Sequence, residues 1–397
     1  MKLLLIYKLL LDIAYPMINS TFLYLWKNPI YFNLLKYIES LILFLFLTKK
    51  MLKIKNETVK DLLIILYTLN FIPITTIYSF LNLNRKIMYI FFISYLFLIY
   101  IIKMPVKNKK KISINTNILG LITLIIGIIL VLHLYNTFGK PNIIEAFHYK
   151  KLYAIREKNQ LKGIYKYIFY NYIYLGIPLI LITIKNKFKH FFVVIIILVM
   201  YIYIPRKIIL TYLIVYYLIY FCKGILYRRL CYFYIIFLML GIITKNILLI
   251  GMSDRVFYLP AYLSFIYWEF FKDRPFNYFA GSKIGYVLSS KNIYGSYTHK
   301  ISNVFWGTNM NANANFIASA YAEGGTIVII ISLIILAFIL ITVKKITRNL
   351  KSENKKIIYM LLLVNILILT NGPIWTLFLT NGLFIVLLLL PWIIYSK

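Results

Sequence analysis

Long apolar runs, broken by short polar clusters, fill this chain from end to end. A run of about 20 residues is the length of a helix that crosses a bilayer. Such runs fall near 3–25, 30–48, 61–81, 87–104, 114–138, 164–184, 190–204, 207–222, 230–250, 326–343, 357–370 and 374–394. The pattern predicts an all-α, polytopic integral membrane protein with about 12 transmembrane helices, forming a single membrane domain over residues 1–397. The opening MKLLLIYKLLLD has a charged start and no small-residue cleavage site after it, so it is expected to be a retained first helix rather than a signal peptide. No internal repeat of the kind many secondary transporters carry is visible.

Composition agrees with the pattern. Of 397 residues, 62% are hydrophobic and 14% charged, which excludes a soluble globular protein. The net charge of +34, from 45 Lys and Arg against 11 Asp and Glu, would suggest nucleic acid in a soluble chain. Here the cations sit in every second connection: Lys49 to Lys60, Lys103 to Lys111, Lys185 to Lys189, Lys223 to Arg229 and Lys344 to Lys356. By the positive-inside rule these connections and both termini are cytoplasmic, so the expected partner is the lipid bilayer and not nucleic acid. Abundant Ile, Lys, Asn and Tyr suggest AT-rich codons, which lowers the weight of any one Lys or Asn. Cys222 and Cys231 match no metal or disulfide spacing and are expected to be free thiols.

The opposite face then receives two long connections, a first outer loop at 139–163 and a large outer loop at 251–325. Segments this long do more than turn the chain, and function is expected there rather than a plain structural cap. The first loop breaks the charge trend, with Lys140, Lys150, Lys151, Arg156, Lys158 and Lys162 against Glu145 and Glu157. Outer-face cations suit an anionic ligand, since the Arg fork matches phosphate oxygens; a solvated loop is the plainer alternative. Arg206 follows Pro205 in a very short outer turn, where an ionisable side chain either faces a polar cavity or snorkels to the interface. The large loop opens with Asp254 and Arg255 before an aromatic-rich stretch, Phe257 to Phe271, which predicts an interfacial helix kinked at Pro260. Asp254 would then orient Arg255 or take up a proton.

Farther on, Asn309, Asn311, Asn313 and Asn315 recur at period two, so their amides are expected on one face, where they suit sugar hydroxyls. Ala318, Ala322, Gly324 and Gly325 follow and allow close helix packing. Glu323 is a candidate base or a helix-end charge. His299 is a candidate general base near neutral pH. No DD, DxD or ExD occurs, and His133, His148, His190 and His299 form no zinc pattern, so no metal or other cofactor is expected.

Four of these segments, YKKLYAIREKN, IPRKIIL, DRVFYLPAYLSFIYWEFF and ANFIASAYAEGG, resemble in order and side the oligosaccharide repeat-unit polymerases (Wzy type) of O-antigen and capsule synthesis. Together they make up 48 of the 397 residues. The adjacency of Gly324 and Gly325 departs from the family's wider glycine spacing. The resemblance implies a GT-C-like polymerase/ligase architecture in the bacterial cytoplasmic membrane. It also implies metal-independent inverting glycosyl transfer at the outer face from an undecaprenyl-diphosphate-linked oligosaccharide. Partners would be that lipid-linked oligosaccharide, a chain-length regulator and a flippase. Arg156, Arg206 and Arg255 would bind the diphosphate, Asp254, His299 or Glu323 would activate the acceptor hydroxyl, and Asn309, Asn311 and Asn313 would contact glycan. The alternatives are an O-antigen ligase, which differs only in acceptor, and a flippase or transporter of lipid-linked sugars. A transporter would need charges lining the bundle, where Asp12 and Glu39 are the mid-span acids.

Overall fold

The fold is taken from a computed structural model of the protein, which describes residues 1–22, 30–105, 117–140, 143–147, 154–155, 158–161, 165, 168–169, 172–178, 180, 189–204, 207–222, 224–280, 283–287, 291–348, 352–380 and 383. Among these residues the structure is helical, with no strand. Six of the described helices are long and apolar enough to cross a membrane, which makes this a membrane protein of all-α class. The chain divides into two compact units: Met1–Val106 with Gly224–Lys344 and Ile366–Trp375, and Lys107–Lys223 with Lys345–Asn365 and Thr376–Lys397.

The first unit is assembled around one helix. Helices α1 (Lys2–Thr21), α2 (Leu34–Leu52), α3 (Glu57–Phe80) and α4 (Arg85–Lys103) come first in the chain. In α3 every residue from Asp61 to Ser79 is buried. A helix that is apolar all round has no face for solvent and belongs at a centre. Its start is fixed by Asn56, whose side chain accepts the Val59 N–H at 3.0 Å. Pro73 lies inside it and leaves one carbonyl without its helical donor. Around α3 pack α1, α2, α4 and α8 (Leu226–Thr244), together with the helix that opens the large connection.

That last helix runs without a break through α9 (Ile247–Ser253), one π-helical turn (Asp254–Tyr258) and α10 (Leu259–Lys272). Pro260, just past the π-helical turn, lies inside this continuous helix and leaves one upstream carbonyl without its helical donor. Helix formation over this stretch matches the sequence expectation. Its aromatics were expected at headgroup depth, yet Phe257, Tyr258, Tyr262, Phe265, Tyr267, Trp268, Phe270 and Phe271 are all buried by neighbouring protein. The helix is apolar on most of its circumference, and α3 offers it an apolar partner.

Polar groups inside this unit pair across helices. Lys8 on α1 donates to Asp12 Oδ1 at 2.5 Å and to Thr76 Oγ1 at 3.2 Å. Thr76 in turn donates to Asp12 Oδ1 at 2.7 Å, and Tyr37 donates to Oδ2 at 3.2 Å. The pair thus joins α1, α2 and α3. Tyrosine hydroxyls supply further links to helix carbonyls: Tyr7 to Thr68, Tyr67 to Phe44, Tyr95 to Leu66 and Tyr258 to Leu11. A carbonyl already in a helix keeps a second lone pair for such a donor.

Beyond the large connection come α11 (Tyr297–Trp306) and α12 (Phe316–Thr347). The far end of α12 reaches the end of α4, where Lys344 Nζ donates to the carbonyls of Ile102 and Met104 at 2.6 and 2.7 Å. Lys103 and Lys344, one from each of two basic clusters, therefore lie at the same end of the unit. The second unit contains α5 (Asn117–Phe138), α6 (Lys189–Tyr203), α7 (Lys207–Tyr220) and much of α13 (Ser352–Ile368). There α6 packs on α5 and α7. Gly127 on α5 leaves room for Tyr172, whose hydroxyl would lie 2.0 Å from an added Cβ. Both cysteines are free thiols.

The buried pair gives a test of this assembly. Lys8→Met leaves Asp12 enclosed without its cation and is expected to cost on the order of 3–5 kcal/mol. The double variant Lys8→Met with Asp12→Leu is expected to recover most of that. Thermal denaturation of the detergent-purified protein measures both, and equal losses in the single and double variants would contradict the assignment.

Candidate functional site

The large connection folds back on itself. After α11 the chain turns at Gly307, whose φ of +65° and N–H bond to Asn303 O form a left-handed helix end. The next residues return along α11. Thr298 Oγ1 donates to Asn311 Oδ1 at 3.0 Å, the Ala312 N–H points to Thr298 O at 3.4 Å, and Ser302 and Thr308 share a hydroxyl bond of 2.8 Å. Ala312 and Ala314 turn inward and are buried, whereas Asn309, Asn311 and Asn313 are exposed. Three of the four period-two amides are therefore exposed, with the alternation of exposed and buried positions running from Asn311 to Ala314. Asn315 departs because it caps α12: its Oδ1 accepts the N–H groups of Ile317 and Ala318, each at 3.1 Å.

His299, in the first turn of α11 and partly exposed, lies beside these amides. Its Nδ1 is 3.0 Å from both the backbone O and the Oδ1 of Asn309. A backbone oxygen only accepts, so Nδ1 carries the proton, and the lone pair of the neutral ring sits on Nε2. An oriented imidazole beside three exposed amides can accept a proton from a bound hydroxyl group.

α10 holds the whole return in place. Tyr267 donates to Ala312 O at 2.6 Å, Asn315 Nδ2 donates to Ser264 Oγ at 2.6 Å, and Trp268 stacks on Tyr321 with ring centroids 4.0 Å apart. The small residues Ala318 and Ala322 are fully buried, consistent with the close packing expected of them.

Glu323 is only 7% exposed and occupied by donors from its own chain. It accepts from Asn277 Nδ2 at 2.9 Å, from the Phe279 N–H at 2.6 Å and from the Tyr297 hydroxyl. Burial, then Tyr267 and Glu323 nearby, push the Tyr297 phenol well above its ordinary range, so it stays protonated and keeps donating. The same carboxylate stabilises a strained turn, since Tyr278 and Phe279 have φ of +48° and +61°. Directly after Glu323, α12 breaks at Gly324 and Gly325. Gly325 has φ +65°, and an added Cβ would lie 2.9 Å from the Phe276 ring. Sequence reasoning did not identify Asn277 or Tyr297; the pairing spans 46 and 26 positions, and no local motif announces it.

Asp254 is 1% exposed, within electrostatic reach of Tyr15 and Tyr258, while Arg255 is exposed. Adjacent positions on a helix face about 100° apart, so the carboxylate is directed into the bundle and not at the Arg255 guanidinium. Arg156 and Arg206 lie outside the described residues. Their described neighbours meet in the second unit: Asn159 Nδ2 donates to Tyr203 O at 2.8 Å, and the Tyr203 hydroxyl donates to Gly139 O at 3.1 Å.

No family model, curated protein or solved structure matches this chain. The functional reading therefore rests on the residues and their geometry.

Replacing Gly325 tests the joint beneath the site. Gly325→Ala adds both a left-handed penalty and a clash with Phe276, and about 1–3 kcal/mol of destabilisation is expected. Gly372→Ala, where the new methyl meets nothing closer than 3.7 Å, serves as the control. Limited proteolysis should cut the 291–315 segment faster in Gly325→Ala alone; equal rates in the two variants would contradict the role of the joint.

Proposed function

We propose that this protein is a glycosyltransferase that polymerises undecaprenyl-diphosphate-linked oligosaccharide repeat units into O-antigen or capsular polysaccharide. The observation that carries the reading is the His299–Asn309 pair set beside the exposed amides of Asn311 and Asn313. The resemblance to the Wzy-type polymerases supports it from the sequence side. In this reading about 12 helices of GT-C-like arrangement span the bacterial cytoplasmic membrane, with both termini in the cytoplasm. The connections at 139–163 and 251–325 then face outward.

The reaction is an inverting displacement. A hydroxyl oxygen of the incoming lipid-linked unit attacks the anomeric carbon of the growing chain, and its proton passes to His299 Nε2. The bond from that carbon to the diphosphate oxygen breaks with its electron pair, releasing undecaprenyl diphosphate. A departing diphosphate needs cations to stabilise its growing charge, a role the resemblance assigns to Arg156, Arg206 and Arg255 without a metal. Of the three base candidates, His299 is favoured because its partly exposed ring is oriented through Nδ1 by Asn309, whereas Glu323 serves donors of its own chain. Asn309 positions the imidazole, and the other amides bind sugar hydroxyls.

A transporter of lipid-linked sugars is the second reading, favoured by the buried Lys8–Asp12 pair. Against it, Thr76 and Tyr37 already bind that pair on its protein side. A ligase would share the donor chemistry and differ in the acceptor.

Deleting the gene in its host and separating the surface glycan on a gel tests all three. Glycan shortened to a single repeat unit is expected. Polymer left on undecaprenyl diphosphate would indicate a ligase, and repeat units trapped inside would indicate a transporter. In the complemented strain His299→Ala is expected to lower chain extension by about 10²–10⁴-fold, with normal amounts of protein in the membrane.

A further inference from the structure

Glu39, on α2, gathers three donors from neighbouring helices. Its Oε2 accepts from the Tyr78 hydroxyl at 2.8 Å and from Arg85 Nε at 3.1 Å, and its Oε1 accepts from the Tyr89 hydroxyl at 2.8 Å. Tyr78 Oη also lies 3.5 Å from Arg85 Nε. The carboxylate therefore fixes the Arg85 guanidinium through one of its five N–H groups. The other four, on the terminal nitrogens, meet no partner among the described residues, and the side chain is 62% exposed.

A second cation is built into the same knot. Lys36 Nζ donates to Leu83 O at 2.5 Å and lies over the Tyr78 ring, 5.1 Å from its centroid. Exposed Lys86 follows Arg85 in sequence. Three cations thus stand against one carboxylate, and that carboxylate is already spent on orienting Arg85.

Their place in the fold identifies what they meet. Arg85 opens α4, so it lies at the end of the unit opposite Met104 and Lys344. Immediately along α2 from Lys36, the side chains of Leu35, Ile38 and Ile42 are exposed and apolar, as lipid-facing positions are. Cations at the rim of such a strip match an amphiphile with an anionic head and a hydrocarbon tail. At headgroup depth that anion is a phosphate, and the guanidinium fork fits its oxygens.

We propose that Arg85 and Lys36, helped by Lys86, bind the phosphate head of a membrane lipid at this end of α2 and α4, with Glu39 as the residue that positions Arg85. This proposal does not depend on the glycosyltransferase reading.

Native mass spectrometry of the full-length protein released from detergent micelles tests it, with phosphatidylglycerol titrated against diacylglycerol of the same chains. Selective retention of phosphatidylglycerol is expected. Arg85→Gln should weaken it by about tenfold or more, while Arg274→Gln, an exposed arginine elsewhere, should leave it unchanged. Glu39→Gln separates positioning from net charge. It removes a repelling negative charge, yet should weaken binding because Arg85 loses its anchor. Stronger binding in Glu39→Gln, or wild-type binding in Arg85→Gln, would overturn the proposal. Displacement of the lipid by an equal concentration of inorganic phosphate would also overturn it, by pointing to a soluble anion. If Arg85→Gln does not elute and melt like wild type, Arg85→Lys carries the test: weaker binding is expected, and unchanged binding rejects recognition by the fork.

Discussion

A polar group enclosed by apolar helices needs a partner, and nearly everything in the first unit follows from meeting that need on α3. Lys8 and Asp12 are tolerable inside the bundle because each neutralises the other and because Thr76 and Tyr37 take up the remaining valences. The buried tyrosines extend the same logic. Tyr7, Tyr67 and Tyr95 each bring a large apolar ring and one hydroxyl that donates to a helix carbonyl, so α1, α2 and α4 are each tied to α3 at a defined height.

This scaffold sets the position of the surface chemistry. α10 lies against α3, and its Ser264, Tyr267 and Trp268 grip the return segment and the start of α12. The return segment holds Asn309 against His299, which fixes the imidazole tautomer. Below it, Glu323 joins the turn at Asn277 to α11 through Tyr297. The exposed face is therefore built on rigid support two layers deep, as a site that orients substrate requires.

Much of this was legible in the sequence, and the failures have physical causes. Among the described residues, helix class and approximate positions followed from apolar run length, because a bilayer allows few alternatives, while the runs at 164–184 and 374–394 lie partly outside them. The amides at 309, 311 and 313 were legible from period two, and Asn315 was misplaced because a helix cap outranked the alternation. The aromatics of α10 read equally well as lipid-facing or buried, since composition alone does not distinguish a lipid neighbour from α3. Arg85 carried the same signal as Arg206, a guanidinium in a short connection away from the basic clusters. Its partner Glu39 lies 46 positions away, and no local pattern joins them.

Reconstitution offers the most direct measurement of the central claim. The purified protein in liposomes, supplied with a lipid-linked repeat unit from its host and a metal chelator, is predicted to form glycan longer than one repeat. Each added repeat should release one undecaprenyl diphosphate. Repeat units that cross the bilayer without growing, or growth that stops when the chelator is added, would contradict the account.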